Sequence, residues 1–253
     1  MYSNHNKILS ATFGLVMLVS LMNPLVSYGQ RALIISHLTG DFYVYTTYNE
    51  YKGSRTPANG LYVLTNEGAI IIDSPWDTTQ FQPLLDSIKV KHNKTAVMCI
   101  ATHFHEDRTG GLEYFRKLGI KTYTTRQTDA LSKQHGMKRA EFLIDKDTLF
   151  TFGQYTFKTI YPGKGHAPDN IVIWFEKEKI LYGGCLIKSV EDETLGNLND
   201  ASINDYPTTI KNVQAKCKNP AYVIPGHNDW NNPASVTHTL EMAEQLKVKN
   251  LQK

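Results

Sequence analysis

The chain has 253 residues, 41% of them hydrophobic and 20% charged, which is enough apolar material for a packed core and excludes a mostly disordered chain. Lys and Arg total 27 against 24 Asp and Glu, and the resulting net charge of +3 does not point to nucleic acid as a partner. Three cysteines exclude a disulfide-dense scaffold.

The first segment reads as a targeting sequence. Lys7 gives a short positive region, Ile8 to Leu21 is mostly apolar, and Asn23-Pro24 breaks the run. Ser27 and Gly29 place small residues before a cut at Gln30. This is the pattern of a secretory signal peptide over residues 1–29. The apolar run is short for a membrane span, and no cysteine near the cut offers a lipid anchor. The expectation is an exported, periplasmic mature chain over 30–253, with no membrane attachment after cleavage. Export makes the cysteines informative, because an odd count leaves at least one thiol unpaired. Cys99 reads as a buried strand residue and Cys217 as the end of a helical stretch. Cys185 follows Gly183-Gly184, where the chain can approach something closely, so a working thiolate is expected there.

Strands come first in chain order. Tyr43 to Tyr45 is short and β-rich, and Leu61–Thr65 with Ala69–Ile72 reads as a hairpin around Asn66-Glu67-Gly68. Asp77 or Thr78 can cap a helix carrying Phe81, Leu84, Leu85 and Ile88 at helical spacing. Ala96–Thr102 is a buried strand, Gly110-Gly111 leads into a helix, Lys121–Thr125 is a strand and Gln127–His135 is helical. Leu149–Phe152 and Tyr155–Tyr161 form a hairpin, as do Ile171–Phe175 and Ile180–Tyr182. Asp205–Lys216 is helical, Ala221–Ile224 is a strand, and Pro233 suits the first turn of a final helix. No Gly-, Pro- or Ser-rich linker and no internal repeat divides the chain. One α/β domain with helices covering sheets is expected.

The chemistry centres on Thr102-His103-Phe104-His105-Glu106-Asp107-Arg108. Two imidazoles and a carboxylate alternate just after an apolar strand, and both groups are zinc ligands. It is not the helical H-E-x-x-H motif, because Thr109 stands at the second histidine position. Three later residues sit between or after strands beside glycine: His166, Cys185 and His227. Together these make six potential ligands, enough for two metals. No Ser-x-x-Lys, Gly-x-Ser-x-Gly or phosphate-loop motif occurs.

These motifs resemble the metallo-β-lactamases, in the pattern of subclass B1. The match runs through His103–Arg108, Gly165-His166, Gly184–Lys188, Leu195–Leu198 and Gly226-His227, and covers roughly Gly40 to Leu246. The resemblance implies a four-layer αβ/βα sandwich with two zinc ions at one edge. It implies that His103, His105 and His166 hold one zinc, and Asp107, Cys185 and His227 the other. Lys188 and Asn197 look like the family's substrate-binding pair, and Asn197 would also help stabilise the oxyanion. The segment Tyr48 to Pro57 corresponds to a mobile flap, with Tyr51 as its apolar contact. Trp76 is expected to line the cleft, and Asp73 to orient loops beneath the metals. Related hydrolases of this fold usually have a bridging aspartate where Cys185 stands, and a histidine where Arg108 stands. One departure is Asn199, where the family often has glycine, which leaves the local loop shape open.

The implied reaction is hydrolysis of the β-lactam amide by a metal-bound hydroxide, with Asp107 assisting and Lys188 pairing with the ring carboxylate, and with antibiotic resistance as the outcome. Two other readings stand beside it. One is a hydrolase on the same scaffold acting on a lactone, thioester or phosphodiester. The other is a non-enzymatic zinc protein, which three ligands per metal disfavour, because closed structural sites use four. A monomer is expected, since no long apolar stripe is left over for an interface.

Overall fold

A computed structural model describes Met1 and residues 33–145, 147–230 and 232–252. The expected signal peptide, Met1 apart, lies outside the described residues. Among the described residues, the first sheet runs in the order β1 (Ile34–Thr39), β2 (Phe42–Tyr51), β3 (Ser54–Thr65), β4 (Gly68–Ile72), β5 (Ala96–Ile100), β6 (Lys121–Thr125) and β7 (Phe142–Ile144). The second runs β8 (Thr148–Phe152), β9 (Tyr155–Ile160), β10 (Val172–Phe175), β11 (Ile180–Gly184) and β12 (Tyr222–Pro225). The helices are α1 (Phe81–His92), α2 (Glu106–Thr109), α3 (Leu112–Lys117), α4 (Arg126–His135), α5 (Tyr206–Lys216) and α6 (Ser235–Leu251).

Alternation along the strands dictates the layers. Leu61, Val63, Ile70, Ile72, Met98 and Ile100 point one way and pack against Ile171, Ile173, Phe175, Ile180 and Ile224 of the second sheet. Their neighbours Tyr62, Ile71 and Cys99 point the other way, onto Phe81, Leu84 and Ile88 of α1 and Leu112 and Phe115 of α3. On the far side, Val172, Trp174, Leu181 and Val223 meet Tyr206, Ile210 and Val213 of α5 and Val236 and Ala243 of α6. Three apolar interfaces therefore separate four layers in the order helix, sheet, sheet, helix. Full burial of each such aliphatic side chain contributes about 1.5–3 kcal/mol.

Local signals account for the helix ends. Thr125 Oγ1 accepts the Thr128 N–H at 3.0 Å to start α4, and Gly136, at φ 69°, ends it. Asp77 accepts the Thr79 N–H at 3.0 Å ahead of α1. Strand directions then bring the functional loops together. β4 and β5 are parallel, β11 and β12 are parallel, and β9 and β11 share a direction because each is antiparallel to β10. The C-terminal ends of β9, β11 and β12 therefore lie at one end of the second sheet, and those of β4 and β5 at one end of the first. Backbone bonds from Ile171 N to Thr102 O (3.0 Å) and from Asn59 N to Gly226 O (2.8 Å) tie these ends together.

Two segments take defined shapes. The segment Tyr48 to Pro57, the expected flap, is regular. It is the end of a two-stranded ribbon in which Tyr48 faces Pro57, Glu50 faces Arg55 and Tyr51 faces Ser54. Lys52 and Gly53, at φ 51° and 77°, make the two-residue turn. The opposed charges of Glu50 and Arg55, and the Arg55 guanidinium 4.0 Å over the Tyr48 ring, let a polar sequence pair regularly. Asn199, whose departure from glycine left the loop shape open, takes no left-handed conformation, so the backbone there does not require glycine.

Candidate metal centre and active site

The six expected ligands converge on the aligned strand ends. β5 delivers His103, His105 and Asp107 through the turn into α2, and the loop after β9 carries His166. Cys185 directly follows the end of β11 at Gly184, and Gly226 leads from the end of β12 at Pro225 to His227. Glycine is required at the last junction. A Cβ on Gly226 would sit 2.7 Å from Cys185 N and 2.8 Å from Gly184 C.

The donor atoms fall into two tight sets. His105 Nδ1 lies 3.1 Å from His103 Nε2 and 3.1 Å from His166 Nε2. Cys185 Sγ lies 3.3 Å from both Asp107 Oδ2 and His227 Nε2, and these last two are 3.2 Å apart. The sets are contiguous, since ligand atoms of His103, His166 and Cys185 also lie within 4.8 Å of one another.

The hydrogen bonds around the histidines show that the arrangement suits a cation. His105 Nε2 is 2.9 Å from Asp200 Oδ2, so a neutral ring keeps its proton there and its lone pair on Nδ1. His103 Nδ1 is 3.3 Å from Thr102 Oγ1, whose own hydrogen goes to Asp73 Oδ2. The His103 lone pair is therefore on Nε2. Two lone pairs then face each other at 3.1 Å with no hydrogen between them. His166 Nδ1 is buried and has no partner. Ligands about 2.0–2.1 Å from a tetrahedral zinc stand roughly 3.3 Å from one another, so the donor set fits such an ion.

Electrostatics keeps His103, His166 and Asp107 deprotonated where a metal needs them so, but favours the protonated form of the Cys185 thiol. Burial pushes His103 well below the usual histidine range, with His105 adding to the effect, and burial with Lys188 does the same to His166. Burial alone would raise Asp107, but Arg108 and His227 outweigh it and hold the carboxyl well below its ordinary range. Burial pushes the Cys185 thiol up against the pull of Arg108.

Arg108, fully buried, organises the layer beneath. Its Nε donates to Cys185 Sγ (3.2 Å), Nη1 to Asn59 O (2.7 Å) and Nη2 to Gly226 O (2.9 Å), and Nη2 lies 2.9 Å from Asp107 Oδ2. Asp73 sits deeper and accepts from Thr102 N (2.7 Å), Thr102 Oγ1 (2.9 Å) and Tyr182 OH (2.8 Å). Burial raises its carboxyl to about 6 despite Arg108. Asp73 thus holds the Thr102-His103 turn and touches no other ligand candidate. A buried guanidinium that donates to several polar groups and stands beside the carboxylates of Asp107 and Asp73 is the arrangement that makes a buried charge tolerable.

A cavity of about 510 Å³ opens beside the six residues. Tyr51 and Trp76 form one wall, with ring centroids 6.0 Å apart, and Trp76 meets the His227 ring edge-on at 5.8 Å. Lys188 and Asn197 line another part of it. Lys188 is buried along its stem and reaches toward Gly196, where a Cβ would lie 3.7 Å from Nζ. Burial lowers its ammonium, while Cys185, Asp192 and Asp107 favour the charged form. Asn197 Oδ1 accepts the Asn199 N–H at 3.2 Å, which leaves its Nδ2 as donor. The six ligand candidates, Lys188, Asn197, Tyr51 and Trp76 thus come to one place, with Asp73 beneath it. Asp200, Asp192 and the hub role of Arg108 were not anticipated. Asp200 lies 95 positions from the histidine it supports, and only its place in the polar loop after Asn197 hinted at it.

Comparison with known proteins agrees with this geometry. The family model of the metallo-beta-lactamase superfamily matches residues 54–227, from the flap turn to the last ligand candidate. The chain is 41% identical over 230 residues to a metallo-beta-lactamase type 2 of Elizabethkingia meningoseptica, covering 90% of this chain and 92% of that protein. It is 36% identical over 208 residues to a metallo-beta-lactamase type 2 of Bacillus cereus, covering 82% and 81%. The solved metallo-beta-lactamase from Pontibacter korlensis superposes with a TM-score of 0.81 at 31% identity, over 84% of this chain and 99% of that one. With the two facing donor sets and the αβ/βα layers already in place, these matches show that the chain belongs to the metallo-β-lactamase superfamily, among the subclass B1 β-lactam hydrolases.

Proposed function

We propose that the enzyme opens the β-lactam amide with two zinc ions, one held by His103, His105 and His166 and the other by Asp107, Cys185 and His227. The observation that carries this reading is the pair of three-donor sets, in one of which the lone pairs of His103 and His105 face each other, while in the other Cys185 Sγ lies 3.3 Å from both Asp107 Oδ2 and His227 Nε2. Three protein ligands per ion leave open positions for water and substrate. When bound, zinc supplies a Lewis acid for the carbonyl and a water whose pKa falls to about 7.

The chain's own groups do the rest. Lys188 binds the carboxylate beside the lactam ring as a charge-assisted pair. Asn197 Nδ2, left to donate, supports the carbonyl oxygen as negative charge develops there. Asp107 Oδ2 is engaged with Arg108, Cys185 and His227, so Oδ1 is the oxygen that orients the attacking water, takes its proton and passes it to the lactam nitrogen as the C–N bond breaks. Tyr51 and Trp76 cover the apolar side of the substrate and exclude water from it. The product confers resistance because an opened ring no longer acylates its target.

Residues 1–29 act as the signal peptide in this reading, and the mature enzyme works as a periplasmic monomer on small-molecule substrates. Among the described residues no helix is long and apolar enough to cross a membrane. The test is hydrolysis by purified, zinc-loaded protein of a penicillin, a carbapenem and a thioester. Turnover of the lactams that stops under prolonged chelation and returns with zinc is expected. Preference for the thioester, or full activity with zinc shown to be absent, would overturn the reading.

A further inference from the structure

Between Gly184 and Tyr206 the chain forms no helix or strand, yet this stretch carries both Lys188 and Asn197. Something other than a backbone ladder must set the height of the Lys188 ammonium over the metal ligands. Two neighbouring carboxylates reach across: Glu191 Oε2 accepts the Asp229 N–H at 3.4 Å, and Asp192 makes the shorter contacts. Asp192 Oδ2 accepts the N–H of Ser189, next to Lys188, at 2.9 Å. Asp192 Oδ1 accepts Nδ2 of Asn228, next to His227, at 2.6 Å. The Asp192 carbonyl lies 2.7 Å from His238 Nε2 on α6, and the following residue, Thr239, accepts the Lys188 N–H at 2.8 Å.

The chain of contacts continues into the sheet. Asn228 is held at φ 58°, and its carbonyl accepts Asn59 Nδ2 of β3 at 2.9 Å. His227 Nδ1 lies 2.6 Å from Pro57 O on the same strand. Asp192 itself lines the cavity. The substrate loop is thus pinned on one side to α6 and on the other, most closely through Asp192, to the loop of a metal ligand.

We propose that Asp192 is a positioning residue that fixes Lys188 in register with the metal ligands, and so sets recognition of the ring carboxylate. It acts by hydrogen-bond geometry, not by contact with substrate. The proposal rests on the reading of Lys188 as the carboxylate anchor. A purely structural role would damage all substrates alike. A positioning role affects only those that use Lys188, and it does so through KM, because the metal-ligand loop stays held by Arg108 and Asn59.

The experiment compares a penicillin with its methyl ester, which lacks the anionic carboxylate, in zinc-loaded enzyme. Asp192→Ala should raise KM for the acid by about tenfold or more, change kcat by less than about threefold and leave the ester unaffected. Asp192→Asn should recover KM to within about threefold of the parent, since its amide oxygen still accepts from Ser189 and the Asn228 amide can turn over to accept from its nitrogen. Native mass spectrometry should find two zinc ions in each variant. If Asp192→Ala fails to fold, Asn228→Gly removes the same bond from the other side, and glycine tolerates the left-handed backbone there. Equal losses for acid and ester, or an Asp192→Asn as poor as Asp192→Ala, would overturn the proposal. Lys188→Ala is the reference. If it does not distinguish acid from ester, the anchor reading itself fails. If it does and Asp192→Ala does not, only the positioning proposal falls.

Discussion

At the residue scale, the six ligand candidates were legible because each sits in a short motif whose chemistry is visible without a fold: alternating imidazoles and a carboxylate, then a cysteine and two histidines beside glycine. Their supports were not legible, because they are partners in space alone. Asp200 is the clearest case. Its carboxylate fixes the His105 tautomer, and removing such an outer partner typically costs about 10–100-fold in metal affinity. Asp200→Ala should therefore weaken zinc at the histidine set by that order in a chelator-competition titration, while Asp200→Asn, which keeps an acceptor, should recover most of it. Unchanged affinity in both would show that the tautomer is set elsewhere. Cys185→Ser addresses the other set. A serine hydroxyl stays neutral at pH 7 and is a poor ligand, so the second zinc should be lost first and slow one-zinc turnover should persist. Two ions bound at parental affinity would remove Cys185 from the ligand list. Arg108 was visible in the sequence only as a departure from related hydrolases. Its weight comes from full burial against Cys185, Asp107, Asn59 and Gly226, which lie far apart in the chain.

At the element scale, strands with strong alternation were readable and weakly patterned ones were not. Leu61–Thr65 and Ala69–Ile72 announced β3 and β4, because every second residue enters the inter-sheet core. β1 and β7 passed unnoticed: they are edge strands of the first sheet, mostly half-buried or exposed, and carry little periodicity. The flap was legible as a segment but its register was not, because the pairing is cross-strand and polar, a pattern that hydrophobic periodicity does not register. The junction of β11 and β12 is where element and site meet. Gly226 N donates to Gly184 O at 2.8 Å, and the close approach leaves no room for a side chain. Gly226→Ala should force apart the two strand ends that carry Cys185 and His227. Overpacking of this kind costs on the order of 1–3 kcal/mol. The expected outcome is a lower denaturation midpoint together with loss of the second zinc, and the histidine set should be less affected. A variant that keeps both midpoint and stoichiometry would mean that the junction can relax without moving the ligands.

At the scale of the whole molecule, metal, protons and stability are linked. A metal that binds only the folded chain stabilises it by an amount that grows with the logarithm of its concentration over the dissociation constant. The two donor sets carry different proton costs. Burial holds the metal-free Cys185 thiol above its ordinary range, so it is protonated at neutral pH, and coordination as thiolate must release that proton. Each unit fall in pH should then weaken the Asp107–Cys185–His227 set by about tenfold. Asp107 adds no competing proton, because Arg108 and His227 hold it well below the usual carboxylate range against the opposing effect of burial. In the other set, burial keeps His103 and His166 neutral to well below the ordinary histidine range, so acidification from pH 8 to 6 adds no proton to either. Without metal the sign for Cys185 is reversed. A pKa raised on folding contributes stability that is full below the unfolded-state value and is lost as pH rises through the folded one. The prediction is a stepwise loss on acidification. At fixed free zinc, native mass spectrometry between pH 8 and 6 should show the two-zinc form giving way to a one-zinc form, with little metal-free protein. The zinc-dependent rise in melting temperature should shrink in parallel. Both ions leaving together, or a two-zinc population independent of pH, would show that the thiol proton does not control the second set.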